Sequence, residues 1–258
     1  MNPLTRPGTL YLVPTPLDFG CEAAPDLSHA LPEATIAMAA RLSHWITENA
    51  KSTRAFLKRI DATHPLAAPL QAQQITELPR QVHKKGDHDP TSAFDARPLL
   101  AAAVAGEDMG LVSEAGMPAI ADPGASVVRA AHALGLPVLP LVGPVSLMLA
   151  LAASGLNGQH FAFVGYLPQE ATARAQRVRE LEALAHRTGQ TQLFIETPYR
   201  NEALLQGLLT TLKPTTRLAL CCGVTLPEQA VFSGTVADWK KRKPTLPLAL
   251  PAVFLVGR

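Results

Sequence analysis

Short apolar runs ending in Gly- and Pro-containing turns alternate with stretches of helical apolar spacing along almost the whole chain. This alternation narrows the fold more than any other feature, because strands separated by helices pair in parallel through right-handed crossovers. In the first half it predicts strands at 9–13, 44–47, 109–113 and 137–142. The helices between and after them fall at 32–42, at 52–60 behind a Ser52 N-cap, at 93–105 and at 124–134. A weaker apolar pattern at 66–78 reads as a further strand, and the polar stretch 81–90 as an exposed loop.

The second half keeps the alternation: strands at 161–164, 193–195 and 217–222, helices at 172–185 and 201–212. Near the end, strands at 231–232 and 253–256 flank a short helix at 237–241, and consecutive strands with little helix between them imply a mixed sheet. The expected fold class is therefore α/β, an N-terminal parallel-sheet domain over 1–141 and a C-terminal mixed-sheet domain over 142–258.

With 47% hydrophobic and 17% charged residues, 258 residues supply enough apolar surface for two cores. A formal net charge of +2 does not by itself indicate a nucleic-acid partner. Met1 to Pro7 lacks the apolar run of a secretory leader, and no stretch approaches the roughly 20 uninterrupted apolar residues of a membrane helix. Cys21, Cys222 and Cys221 show no metal spacing and no disulfide framework. A reducing, cytoplasmic setting with buried thiols is expected, with no membrane partner and no metal.

The chemistry gathers at strand ends. Ser113 closes a strand, and a segment rich in Gly, Pro and small side chains, SEAGMPAIADPG, runs to Gly124 before the next helix. In open α/β sheets ligands bind beyond the carboxyl ends of the strands, so this loop stands where a ligand should sit. Pro14-Thr15-Pro16 follows the first strand, and Gly143-Pro144-Val145-Ser146 follows the strand at 137–142, with Ser146 as an N-cap. The chain has neither the G-x-G-x-x-G fingerprint nor a P-loop lysine, which removes the main support for dinucleotide and nucleoside-triphosphate sites.

These segments resemble, in order and in register, motifs of the tetrapyrrole (corrin and porphyrin) methylase superfamily, and most closely its small-subunit ribosomal RNA ribose methyltransferase I family. The matching stretches are GTLYLVPTP at 8–16, SEAGMPAIADPG at 113–124, VGPVS at 142–146, Gly165-Tyr166-Leu167-Pro168 and Glu196-Thr197-Pro198-Tyr199-Arg200. The chain departs from the family after Pro16, where Leu17 to Glu22 holds a single glycine. It departs again at 48–54, where Glu48 is separated from Thr53-Arg54, and in the segments after 222. A family His-x-x-Asn stretch has no clear counterpart; only His83 and His88 fall nearby.

The resemblance implies methyl transfer from S-adenosylmethionine in a cleft between two domains, and a homodimer. It implies cofactor contacts from Thr15, Pro16, Ser113, Glu114, Gly116, Met117, Pro118, Ile120, Asp122, Ser146, Leu167, Pro168, Glu196 and Thr197, and catalytic roles for Glu48, Arg54 and Arg200. A ribose hydroxyl acceptor needs a base or a cation beside its developing alkoxide. Lys240 to Lys243 could touch RNA phosphates, with Trp239 stacking on a base, although a solvated helix end explains them as well. Arg174, Arg177, Arg179 and Arg187 fit a basic face or an ordinary exposed helix, and His132 and His186 read as inert. Three readings stand at this stage: an rRNA methyltransferase, a methyltransferase for a tetrapyrrole or other small molecule, and a cofactor-binding protein without catalysis.

Overall fold

A computed structural model describes residues 6–18, 25–79, 82 and 94–258. The chain divides into two compact units, Met1–Val145 and Ser146–Arg258. The division falls after 145, beyond the 141–142 boundary read from sequence, because Val142 to Pro144 pack on the first unit. The Thr35 hydroxyl donates to the Val142 carbonyl at 2.7 Å, and a Cβ on Gly143 would lie 2.3 Å from Pro14 Cγ. The loop at 83–90, Cys21 and Glu22 lie outside the described residues.

The first unit is built on five strands, β1 (Leu10–Leu12), β2 (His44–Thr47), β3 (Gln74–Glu77), β4 (Met109–Val112) and β5 (Val138–Pro140). They are all parallel, in the order β3-β2-β4-β1-β5. Its helices are α1 (Glu33–Arg41), α2 (Ala50–Asp61), α3 (Ala101–Val104) and α4 (Ala125–Ala133). Successive strand residues point to opposite faces. Leu10, Ile46 and Leu111 accordingly enter the core under α3 and α4, whereas Val13, Trp45 and Val112 enter the core under α1 and α2. The helix expected over 93–105 is a 3-10 turn, Arg97–Leu100, that passes into the short α3; Pro98 in its first turn cannot donate a backbone hydrogen bond.

Helix α2 starts earlier than the Ser52 cap would place it. Asn49 is the cap: its side-chain oxygen accepts from the Lys51 and Ser52 amides at 2.9 and 3.4 Å. Arg59 on α2 pairs with the buried Asp18 at 2.5 Å and donates to the Pro25 carbonyl at 2.8 Å, tying the start and the end of the first loop to this helix.

The second unit carries β6 (Phe161–Tyr166), β7 (Thr191–Glu196), β8 (Arg217–Cys222), β9 (Ala230–Thr235) and β10 (Ala252–Gly257) in the order β6-β7-β10-β8-β9. Only β6 and β7 are parallel, so the sheet is mixed, as the sequence implied. Its helices are α5 (Ser146–Ser154), α6 (Ala171–Thr188), α7 (Asn201–Thr211) and α8 (Val236–Arg242). One core joins α6, α7 and α8 to Leu218, Leu220, Cys222 and Phe254, while α5 covers β8 and β10 from the other side. Cys221 thus faces α5, where its thiol donates to the Ala150 carbonyl at 3.6 Å; burial pushes Cys221 up to about 12 and Cys222 up to about 11. Both are packing residues.

Candidate active site

The topology of the first unit marks the place for a ligand. From β1 the chain runs through α1, on one face of the sheet, to β2; from β4 it runs through α4, on the other face, to β5. Since β1 and β4 are neighbours, their connections part in opposite directions, and a crevice opens at their carboxyl ends.

The segments after β1, β4 and β5 meet there. Thr15 and Gly116 exchange backbone hydrogen bonds of 3.0 and 3.1 Å, and the Thr15 hydroxyl donates to the Ser113 carbonyl at 3.4 Å. A Cβ on Gly116 would lie 2.9 Å from Leu17 and 3.4 Å from the Pro144 carbonyl. The loop leaving β4 is held in an uncommon backbone: Gly116 (φ 77°), Ala119 (φ 64°), Ala121 (φ 64°) and Gly124 (φ 139°) all lie at positive φ. Two alanines in the left-handed region within one loop are strained, and such strain persists where the surroundings over-determine it, most often at functional sites. Pro16, Gly116 and Pro118 are buried, Met117 is half-buried and Ile120 is 42% exposed. The Ser113 hydroxyl is buried with no hydrogen-bond partner. An orphaned polar atom at the head of a ligand loop suits a ligand that would satisfy it.

Carboxylates line the same strand ends. The Glu48 side chain, just past β2, accepts from the Glu114 amide at 3.4 Å, and Glu114 Oε1 accepts from Asn49 Nδ2 at 2.7 Å. Asp122 sits near both, and burial, reinforced by the negative charges of Glu48 and Glu114, pushes its carboxyl up to about 7. This cluster therefore holds a group that can take up or release a proton at neutral pH. Arg54 lies on the exposed face of α2.

Asn49 joins two functions, capping α2 and holding Glu114. Asn49→Ala is expected to lower stability by about 1 kcal/mol through the lost cap, measured by urea unfolding. Asn49→Asp should keep the cap but set a fourth carboxylate against Glu114, so its stability should drop below wild type as pH rises past the carboxylate range.

The remaining residues named from the sequence lie in the second unit. Ser146 opens α5 as its first helical residue, Leu167 is a core residue at 4% exposure, and Pro168 is exposed. Thr197 caps nothing through its side chain. Instead the buried Glu196 carboxylate gathers donors: the Thr197 amide at 2.7 Å, the Thr197 hydroxyl at 3.2 Å, and Arg200 Nε and Nη2 at 3.0 and 2.8 Å. Trp239 cannot stack on a base, for it is 2% exposed, packs edge-on against Phe232 and donates to the Leu218 carbonyl. Lys240 to Lys243 are exposed at the end of α8. His186 bonds Thr216 at 2.9 Å, and Thr216 donates to the buried Glu182, closing a structural network that the separation in sequence conceals.

Among the described residues, no helix is long and apolar enough to cross a membrane. The sequence profile of the Tetrapyrrole (Corrin/Porphyrin) Methylases matches residues 28–240. A ribosomal RNA small subunit methyltransferase I from Xylella fastidiosa is 32% identical over 91% of this chain and 75% of its own length. The protein of that name from Pseudomonas aeruginosa is 32% identical over 78% of this chain and 60% of its own, and that from Halalkalibacterium halodurans 28% identical over 90% and 69%.

Among the solved structures that share the fold are two methyltransferases. A uroporphyrin-III C-methyltransferase from Thermus thermophilus, complexed with S-adenosylhomocysteine, superposes with a TM-score of 0.54 at 17% identity, covering 97% of this chain and 98% of that one. A cobalt precorrin-4 methyltransferase gives 0.55 at 12%, covering 96% and 94%. The strand-end crevice, the five motifs in register and these likenesses agree: the chain belongs to the tetrapyrrole (corrin/porphyrin) methylase family and is an S-adenosylmethionine-dependent methyltransferase.

Proposed function

We propose that the chain methylates a ribose 2′ hydroxyl of small-subunit ribosomal RNA, acting in the cytoplasm as a homodimer. The observation that carries the donor half of this reading is the Ser113–Gly124 loop, with its left-handed alanines and its orphaned Ser113 hydroxyl at the β1/β4 crevice. Ser113 offers the polar contact there, and Met117 and Ile120 the apolar surface, for an adenosyl and methionyl ligand. Bound S-adenosylmethionine supplies an electrophilic sulfonium methyl.

The acceptor half rests on the carboxylates. A hydroxyl oxygen that attacks the methyl must lose its proton, and Asp122, held close to half-protonated at neutral pH, is the group in the cluster best matched to receive it. Glu48 and Glu114 act through Asp122 by raising its proton affinity. The rRNA acceptor follows the named activity of the relatives, and the ribose hydroxyl is the acceptor that the family resemblance implies, one whose proton must pass to a base such as Asp122.

Calorimetric titration with S-adenosylmethionine and S-adenosylhomocysteine is expected to give micromolar binding, about 8 kcal/mol. Transfer of labelled methyl to small ribosomal subunits lacking the modification should follow, at a site resistant to alkaline cleavage. Transfer to a uroporphyrinogen instead of RNA would replace the acceptor. No binding to either cofactor form at millimolar concentration would leave a family member without catalysis.

A further inference from the structure

At the carboxyl ends of the only two parallel strands of the second unit, two tyrosines stand in solvent. Tyr166 is 59% exposed and Tyr199 is 80% exposed. Neither position is an accident of an edge. Strand β6 pairs with β7 as Phe161↔Thr191, Ala162↔Gln192 and Phe163↔Leu193, and then resumes as Tyr166↔Ile195. Val164 and Gly165 thus oppose Phe194 alone, an extra residue that makes a bulge, with Gly165 at φ 72°.

The bulge decides which side chain faces the core. Val164 packs against the core of the second unit, and strict alternation from it would send Tyr166 inward and Leu167 out. The inserted residue exchanges them: Leu167 is buried and Tyr166 is expelled. No atom lies within 4 Å of a Cβ built on Gly165, so the glycine serves the backbone angle and not the packing.

Tyr199 is set by other means. It occupies the 3-10 turn Pro198–Arg200 that follows β7, and the Arg200 guanidinium lies 5.2 Å from its ring centroid. Arg200 is itself anchored on the buried Glu196, so a fixed cation backs the ring.

We propose that Tyr166 and Tyr199, with Arg200 behind the latter, form a stacking platform for unpaired bases of the RNA acceptor. The inference rests on the RNA reading given above and adds where the strand is gripped. Exposed aromatic rings suit single-stranded RNA, whose bases present a π-face to any ring. Duplex RNA keeps its bases stacked on one another and offers the platform nothing.

The test measures fluorescence anisotropy of a labelled, non-self-complementary oligoribonucleotide of about a dozen nucleotides, alone and annealed to its complement. Tyr199→Ala is expected to weaken binding of the single strand about ten- to a hundred-fold and to leave duplex binding and the salt dependence unchanged. Tyr199→Phe should restore it, because stacking needs the ring and not the hydroxyl. Tyr166→Ala should weaken it further when combined with Tyr199→Ala. Single-strand binding by Tyr199→Ala within twofold of wild type, or failure of Tyr199→Phe to restore it, overturns the platform while leaving the RNA reading intact. A wild-type protein that binds the cofactor but neither RNA form overturns both, and a porphyrin that binds in place of RNA assigns the tyrosines to the other acceptor.

Discussion

Asp122→Asn should make the protein more stable than wild type in alkaline solution and no more stable in acid. The folded-state carboxyl is pushed up to about 7 by burial and by Glu48 and Glu114, whereas the unfolded chain releases the same proton near 3.9. Between these values the folded protein keeps a proton that the unfolded one has lost, so unfolding free energy falls as pH rises through the window. Below about 4 the Asp122 penalty is absent, and above about 7 it is complete, at most about 4 kcal/mol. Asparagine carries no charge at any pH. The gain of Asp122→Asn should therefore grow across this window and level off, as urea unfolding at a series of pH values would show.

The same variant should lose methyl transfer, by about 10²- to 10⁴-fold if Asp122 receives the acceptor's proton. Glu48→Gln and Glu114→Gln should each bring Asp122 back toward the ordinary carboxylate range and move the acid limb of the pH–rate profile down with it. Equal stability of Asp122→Asn and wild type at every pH would show that the carboxylate is not held against its own charge. A group strained in this way is retained at the expense of stability, the pattern expected where a protein needs a base more than it needs a fully relaxed loop.

What the sequence revealed and what it hid follow from the range of the forces involved. The strands of both sheets could be read from apolar period, and the segments at 14–16, 113–124 and 143–146 from their turn chemistry, because both signals are local. Position along the helix was less certain at α2: Asn49 and Ser52 are both capping residues, and only the backbone leaving β2 decides that Asn49 is used. Contacts between distant residues gave no local sign. Asp18 and Arg59, Glu182 with Thr216 and His186, and the three carboxylates around Asp122 are each assembled by topology. Trp239 beside a run of lysines resembles a nucleic-acid contact until its indole is found inside the core. Tyr166 was hidden for the converse reason, since a one-residue bulge reverses the inward and outward pattern that alternation alone would assign.

Arg200→Ala should lower stability by about 3 kcal/mol, toward the low end for stripping one partner from a buried ion pair, because the Arg200 side chain is 30% exposed while Glu196 is only 5% exposed. Glu196 would keep the Thr197 amide and hydroxyl but lose the charge that balances it. Glu196→Gln alone should cost about 1 kcal/mol, since Arg200 can turn to water. The double variant should then resemble Glu196→Gln, leaving a coupling of about 3 kcal/mol between the two sites. That recovery separates two roles for Arg200. If the arginine only supports the turn that presents Tyr199, the stable double variant keeps kcat and shows a raised KM for RNA, with the cofactor KM unchanged. If the guanidinium also acts on the reacting hydroxyl, kcat stays low in the double variant although its stability has returned. The buried Glu196, bound by four donors, favours the first outcome: its arginine is already committed to a carboxylate, which offsets the charge it could otherwise lend to an alkoxide.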